Sequence, residues 1–256
     1  MTIKIQNLPH NGLGSAISAD QPQHLIEHIE ELRRRLLKSL AAVVCGMSFC
    51  YIYVDRVLEY LAKPVGHMVY LCPTEAFFVR VKLSLSLGFM VSLPVILYQL
   101  WKFVAVALTA KERGNLHWVM PVSYFMFIAG IAFGFFAVVP VGVKFLLSYS
   151  SLTLAPMISV SAYLSFVTTM CLVSGAAFEL PVVGYFLAHL GLLKSRWMSE
   201  RRRMAVLIVY AVCAVLTPGP DPVSSLLIAV PSYILYELAI LSARVAENQR
   251  KTVIDL

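Results

Sequence analysis

The chain has 256 residues, 59% of them hydrophobic and only 14% charged. Soluble domains average roughly 45–50% apolar and about 25% charged residues, so composition excludes a water-soluble globular fold and, equally, intrinsic disorder. The net charge of +7 carries less information than the placement of the charges.

In chain order, residues 1–21 hold Gly12, Gly14, Ser15 and Ser18 without periodicity and read as a flexible tail. The segment Pro22–Lys38 places Leu25, Ile29, Leu32 and Leu36 at helical spacing, with Glu27, Glu31, Arg34, Arg35 and Lys38 on the other faces. That pattern predicts an amphipathic helix, set over 22–35, lying at a membrane surface before turning into the first span. No small-residue cleavage site precedes the first apolar run, so it does not read as a removable signal peptide.

Six runs have the composition of spanning helices: Ser39–Val54, Leu83–Trp101, Leu116–Val143, Val160 to about Leu193 with Glu179 as its one interruption, Met204–Thr217, and Val223–Tyr236. Lipid offers backbone groups no partner, which favours helices for such runs. The last two are 14 residues each, below the roughly 17–25 a crossing needs. Their connection, Pro218-Gly219-Pro220-Asp221-Pro222, cannot be helical, because proline fixes φ and lacks a donor. Residues 22–242 therefore read as a single transmembrane domain, followed by a tail over 243–256. Of the 21 Lys and Arg residues, sixteen fall on the side that holds the N-terminus and five on the other. This bias places both termini in the cytoplasm, which an even number of spans also requires.

The acids inside or beside these runs need reasons. Glu179 lies 15 residues before Lys194, roughly 22 Å along a helix at 1.5 Å per residue, and so within the hydrocarbon. Gly175 and Ala176 precede it and Pro181 follows, a setting that suits a polar notch; intramembrane carboxylates are usually functional. Read locally, Glu31 forms an ion pair with Arg35 four residues on, and Glu112 is a solvated loop charge. Glu75 caps the second span, and Asp221 caps the sixth before Val223. The five cysteines show no CxxC and point to neither disulfides nor a metal cluster. No catalytic motif or phosphate loop appears, so the chain does not read as an enzyme, and no cofactor or metal is expected. The run Arg201-Arg202-Arg203 reads as a contact with lipid headgroups, not with nucleic acid.

Seven stretches, in order, resemble one family. His28-Ile29-Glu30-Glu31-Leu32-Arg33-Arg34-Arg35-Leu36 is similar to the HLxELRxRL opening of TatC, the multispanning subunit of the twin-arginine protein translocase. Pro73–Phe77 resembles its first loop on the far side, and Pro94–Phe103 with Lys111-Glu112-Arg113 its second helix and first cytoplasmic loop. Tyr163–Phe166 and Phe178-Glu179-Leu180-Pro181 resemble its fourth helix, and Leu216–Asp221 its last turn.

The resemblance implies an all-α fold of six transmembrane helices with both termini inside, the fifth and sixth short, and a concave groove lined by the fourth. It implies a receptor in the bacterial cytoplasmic (inner) membrane for twin-arginine signal peptides of folded cargo. Such a receptor works in an oligomeric complex with single-span TatA/TatB-type subunits, and export is driven by the proton-motive force. The family's signal-recognition carboxylates fall on Glu31 and Glu112; an arginine that orients the first falls on Arg33; the carboxylate that engages partner subunits falls on Glu179. Two departures stand out. Val106-Ala107-Leu108 replaces a Pro-Gly-Leu step, which implies a more helical loop entry, and Ser225 stands where a glutamine is usual. Ser225 is therefore left out of the site. A competing reading, a proton-coupled transporter of a small molecule using Glu179, accounts for that carboxylate but not for the N-terminal helix, and no inverted repeat supports it.

Overall fold

The protein was analysed as a computed structural model, which describes residues 20–63, 65, 68–106, 116–148, 157–217 and 222–254. Among the described residues all regular elements are helical: α1 (Asp20–Tyr51), α2 (Val54–Ala62), α3 (Glu75–Val106), α4 (Leu116–Phe133), α5 (Val139–Leu147), α6 (Val160–Phe178), α7 (Leu180–His189), α8 (Ser195–Glu200), α9 (Arg202–Leu216) and α10 (Pro222–Ile254). A single π-helical turn, Gly134–Val138, joins α4 to α5. Four stretches are long and apolar enough to cross a membrane: Glu75–Ala105, Trp118–Leu147, Val160–His189 and Ser224–Gln249. A fifth arises if α1 and α2, bent by 72°, count as one span. Helix α9, with 15 residues, is short, as its apolar run predicts.

Two expectations are corrected. The amphipathic segment does not turn before the first span; both belong to the one 32-residue helix α1. The junction Lys38-Ser39-Leu40-Ala41 holds no proline or glycine to break a helix. The last helix is not short either: α10 has 33 residues. Glu237, the residue after the predicted run, lies inside it, where its carboxylate accepts hydrogen bonds from Arg202 on α9 and from Tyr233, both at 3.0 Å. A paired carboxylate does not stop a helix. The helix continues through Ala243, where the tail was expected to begin, and Ala243 and Ala246 are fully buried.

The helices pack antiparallel through small residues. His28 stacks on Phe103, Arg35 meets Gln99, and Gly46 meets Gly88, so α1 and α3 run in opposite senses. A Cβ on Gly88 would lie 2.4 Å from the Met47 nitrogen, so the crossing requires a residue without a side chain, the small-residue packing usual where lipid supplies no hydrophobic drive. The Ser92 hydroxyl donates to the Ala42 carbonyl at 2.7 Å across the same contact. Helices α7 and α10 meet through Gly184 and Ala239, and the Ser242 hydroxyl donates to the Pro181 carbonyl at 2.8 Å.

Let the end of the bundle where α1 begins be the near end. At the far end, Val69 and Ser159 form a parallel bridge between two loops. Glu75 is the first residue of α3, yet its carboxylate accepts hydrogen bonds from the Ser159 hydroxyl, the Ser161 amide at 2.9 Å and the Leu71 amide at 2.6 Å. The capping expected of it is thus directed at α6, whose N-cap is Ser159, rather than at its own helix. An acid at a helix N-terminus also opposes the positive end of the macrodipole. Asp221 lies outside the described residues.

Candidate functional site

Two polar places are built into this frame. The first is a cleft of about 500 Å³ at the near end, between α1 and the end of α3. Glu30, Glu31, Arg34, Arg35 and Lys38 line it from α1, and Tyr98, Gln99 and Lys102 from α3. Helical spacing brings Glu31 and Arg35 onto one face, and the Arg35 guanidinium donates to the Glu31 carboxylate through Nε at 3.0 Å and through Nη2. Arg35 also reaches the Gln99 side-chain oxygen on α3 at 3.5 Å. The Lys102 ammonium stands over the Tyr98 ring, 5.5 Å from its centroid. Two carboxylates thus face four cations.

Arg33 is exposed on another side of α1. Residues two apart do not face each other on a helix, whereas residues four apart do. The guanidinium on Glu31 is that of Arg35. Glu112 lies outside the described residues, as do Ala107 and Leu108.

The second place surrounds Glu179, the residue between α6 and α7. Its Oε2 accepts a hydrogen bond from the Ser123 hydroxyl of α4 at 2.7 Å. Ser123 in turn accepts from the Trp101 indole N–H of α3 at 3.1 Å. Three helices are therefore joined by one polar chain, set among Leu97, Phe127, Val182 and Phe186. The Trp101 ring meets Phe186 edge-on at 4.8 Å. Glu179 Oε1 is buried and has no hydrogen-bond partner among the described residues. An unpaired buried acceptor is costly, so this oxygen is the one open valence of the chain. Gly175, one turn earlier, lets α4 come close: a Cβ there would sit 2.7 Å from the Phe127 ring.

Two apolar cavities flank Glu179 along the chain. One, about 400 Å³, lies between α6 and α9 at Leu172, Ala176, Leu180 and Val212. The other, about 500 Å³, lies between α4, α7 and α10 at Val122, Pro181, Tyr185 and Ser242. Glu179 itself lines neither; its carboxylate is bonded to Ser123 of α4. Ser225 is buried, with 3% of its surface exposed.

Sequence reasoning missed Ser123 and Trp101. The available signal was that Ser123 is the lone Ser or Thr in the run Leu116–Val143. It also missed Glu247, whose carboxylate accepts from the Ser195 amide at 2.6 Å and hydroxyl at 2.7 Å and so caps α8. No group of three or more His, Cys, Asp or Glu among the described residues is placed to hold a metal ion.

Comparison with known proteins matches this arrangement to one family. The family described as Sec-independent protein translocase protein (TatC) matches residues 27–231. The Sec-independent protein translocase protein TatC of Carboxydothermus hydrogenoformans is 40% identical over 229 residues, covering 88% of this chain and 94% of that protein. The TatC of Aquifex aeolicus is 33% identical over 237 residues, covering 90% and 98%. A crystal structure titled as the twin arginine translocase receptor TatC superposes with a TM-score of 0.78 at 33% identity, covering 86% of this chain and 99% of that one. Nothing in these likenesses supports a small-molecule transporter. A helical membrane bundle with small-residue crossings and a carboxylate seated between three helices, matched over most of its length, is a member of the TatC family of protein translocase subunits.

Proposed function

We propose that the protein is the receptor and core subunit of a twin-arginine translocase in the bacterial cytoplasmic membrane. Six crossings leave both termini in the cytoplasm, and the near-end cleft opens to that side. The arginines of a signal peptide dock on Glu31 and on Glu112. The observation that carries this reading is the Glu31–Arg35 contact: the carboxylate already holds a guanidinium, the group a twin-arginine peptide presents. Guanidinium forks pair with carboxylates through parallel charge-assisted bonds. The rim is otherwise basic, with Arg34, Lys38 and Lys102. A cationic peptide is repelled from it except where a carboxylate receives it, which gives register as well as affinity. Arg33, exposed on α1, contributes to the surrounding surface.

Glu179 serves the second half of the task. Its hydrogen-bond chain sets the spacing of the helices around it, the apolar cavities between those helices receive single-span subunits of the TatA/TatB type, and several protomers assemble with lipid between them. The protein acts as a receptor and platform and not as an enzyme; it uses no cofactor, and the proton-motive force drives transport. The test is charge reversal. Glu31→Arg and Glu112→Arg each abolish photocrosslinking to a twin-arginine peptide in membranes. Undiminished crosslinking in both variants overturns the assignment.

A further inference from the structure

The far end carries a groove that the receptor function leaves unused. It lies between α2, the π-helical turn, α5 and α6, and encloses about 310 Å³. Its walls are apolar, with Tyr60, Phe135, Phe136 and Val143 prominent, and two lysines, Lys63 and Lys144, line it as well. Lys63 follows the last residue of α2 and Lys144 lies in the last turn of α5, so both ammonium groups stand where an apolar bundle meets its headgroup layer.

The π turn supplies two of the groove's aromatic residues, Phe135 and Phe136. A π turn inserts an extra residue and rotates the helix beyond it, and such turns recur at functional sites. Here it begins at Gly134, where a Cβ would lie 2.9 Å from the Cys171 Cα, so the helix is pressed against α6. The next two residues form an aromatic shelf. Phe135 and Phe136 meet edge-on at 5.1 Å, and Phe135 stacks on Tyr60 at 6.3 Å. Phe136 is 72% exposed. The Lys63 ammonium stands over the Tyr60 ring, 5.4 Å from its centroid, which holds it at the groove.

Other charges at this end lie outside the groove: Arg56 and Glu59 are exposed on α2 and do not line it. Arg80 pairs with Asp55 at 3.0 Å, and Lys82 donates to the Ser165 hydroxyl at 2.5 Å. Lys63 and Lys144 form no ion pair among the described residues, not even Lys63 with Glu59 one turn earlier. The neighbouring stretches 64–67 and 149–156 contain no Asp or Glu. Two cations without a carboxylate, at the border of an apolar groove on a lipid-facing surface, complement one kind of occupant. We propose that this groove binds an anionic phospholipid, with an acyl chain along the aromatic shelf and the headgroup phosphate between Lys63 and Lys144.

The experiment uses the full chain in nanodiscs with Phe136→Trp as reporter, reading the fluorescence difference from the parent protein. Acyl-brominated phosphatidylglycerol and phosphatidylcholine serve as quenchers at equal mole fraction. The expected result is a preference for phosphatidylglycerol on the order of tenfold, reduced to parity by Lys63→Gln with Lys144→Gln and retained by Lys63→Arg with Lys144→Arg. Inorganic phosphate added to the buffer leaves the preference in place. Equal quenching by both lipids with the lysines intact overturns the proposal. So does quenching by neither, the outcome if a helix of a second copy fills the groove, and so does loss of the preference on adding phosphate.

Discussion

At the near-end cleft the Glu31 carboxylate lies among cations and exposed side chains; inside the bundle Glu179 meets one serine hydroxyl and otherwise apolar walls. The comparison separates two ways of holding an acid ready. Glu31 is neutralised by a neighbour on its own helix, so its strength depends on competition between guanidinium groups and on ionic strength. Glu179 is held by a neutral chain through Ser123 to Trp101, so its geometry depends on the packing of three helices and hardly on salt. A receptor that must bind and release a cationic peptide suits the first arrangement, and a contact that orients a helix within lipid suits the second.

The largest effect expected is at the cleft. Hydrogen bonds to charged groups contribute about 1.5–3 kcal/mol, so Glu31→Gln should weaken binding of a labelled twin-arginine peptide roughly 10- to 150-fold by anisotropy. Glu179→Gln should leave that affinity within about twofold. Equal losses would break the comparison, since the two acids would then act as one site.

Packing comes next. Gly175→Val drives a side chain into Phe127, and overpacking of this kind costs about 1–3 kcal/mol, read as a lower midpoint in dodecyl sulfate unfolding. Peptide affinity should persist, because the cleft is formed by α1 and α3 and not by α4 or α6. Ser123→Ala should cost less, about 0.6–2 kcal/mol, by leaving the Trp101 N–H and the second Glu179 oxygen without their partner. If Ser123→Ala cost more than Gly175→Val, the polar chain rather than close packing would hold α4 to α6.

Apolar runs locate the helices in the sequence because lipid permits few alternatives, and Glu179 stands out because carboxylates there are rare. What failed to show depends on pairs distant in sequence. The apolar run closes at Tyr236 because the partner of the next residue, Glu237, is Arg202 on another helix, and Glu75 reads as the cap of its own helix until Ser159 arrives from another loop. The continuity of α1 is hidden for a different reason. A change from amphipathic to apolar composition looks like a boundary, although the backbone has no cause to stop there. Ser123 is a single neutral hydroxyl, and only the fold reveals that it faces a carboxylate.

The smallest effect tests the cleft from the other side. If Arg35 only competes for Glu31, then Arg35→Gln should raise peptide affinity. An ion pair four residues apart on a helix contributes about 0.3–0.5 kcal/mol, which corresponds to a gain of roughly twofold at low salt. The side chains of Arg35 and Glu31 are 12% and 28% exposed, so the upper part of that range applies. Raising the ionic strength should shrink the gain, because the cleft opens to solvent. A fall in affinity would mean that Arg35 positions Glu31 through its second contact, with Gln99. The carboxylate would then owe its readiness to α3 as well as to its own helix, and the contrast with Glu179 would be one of polarity alone.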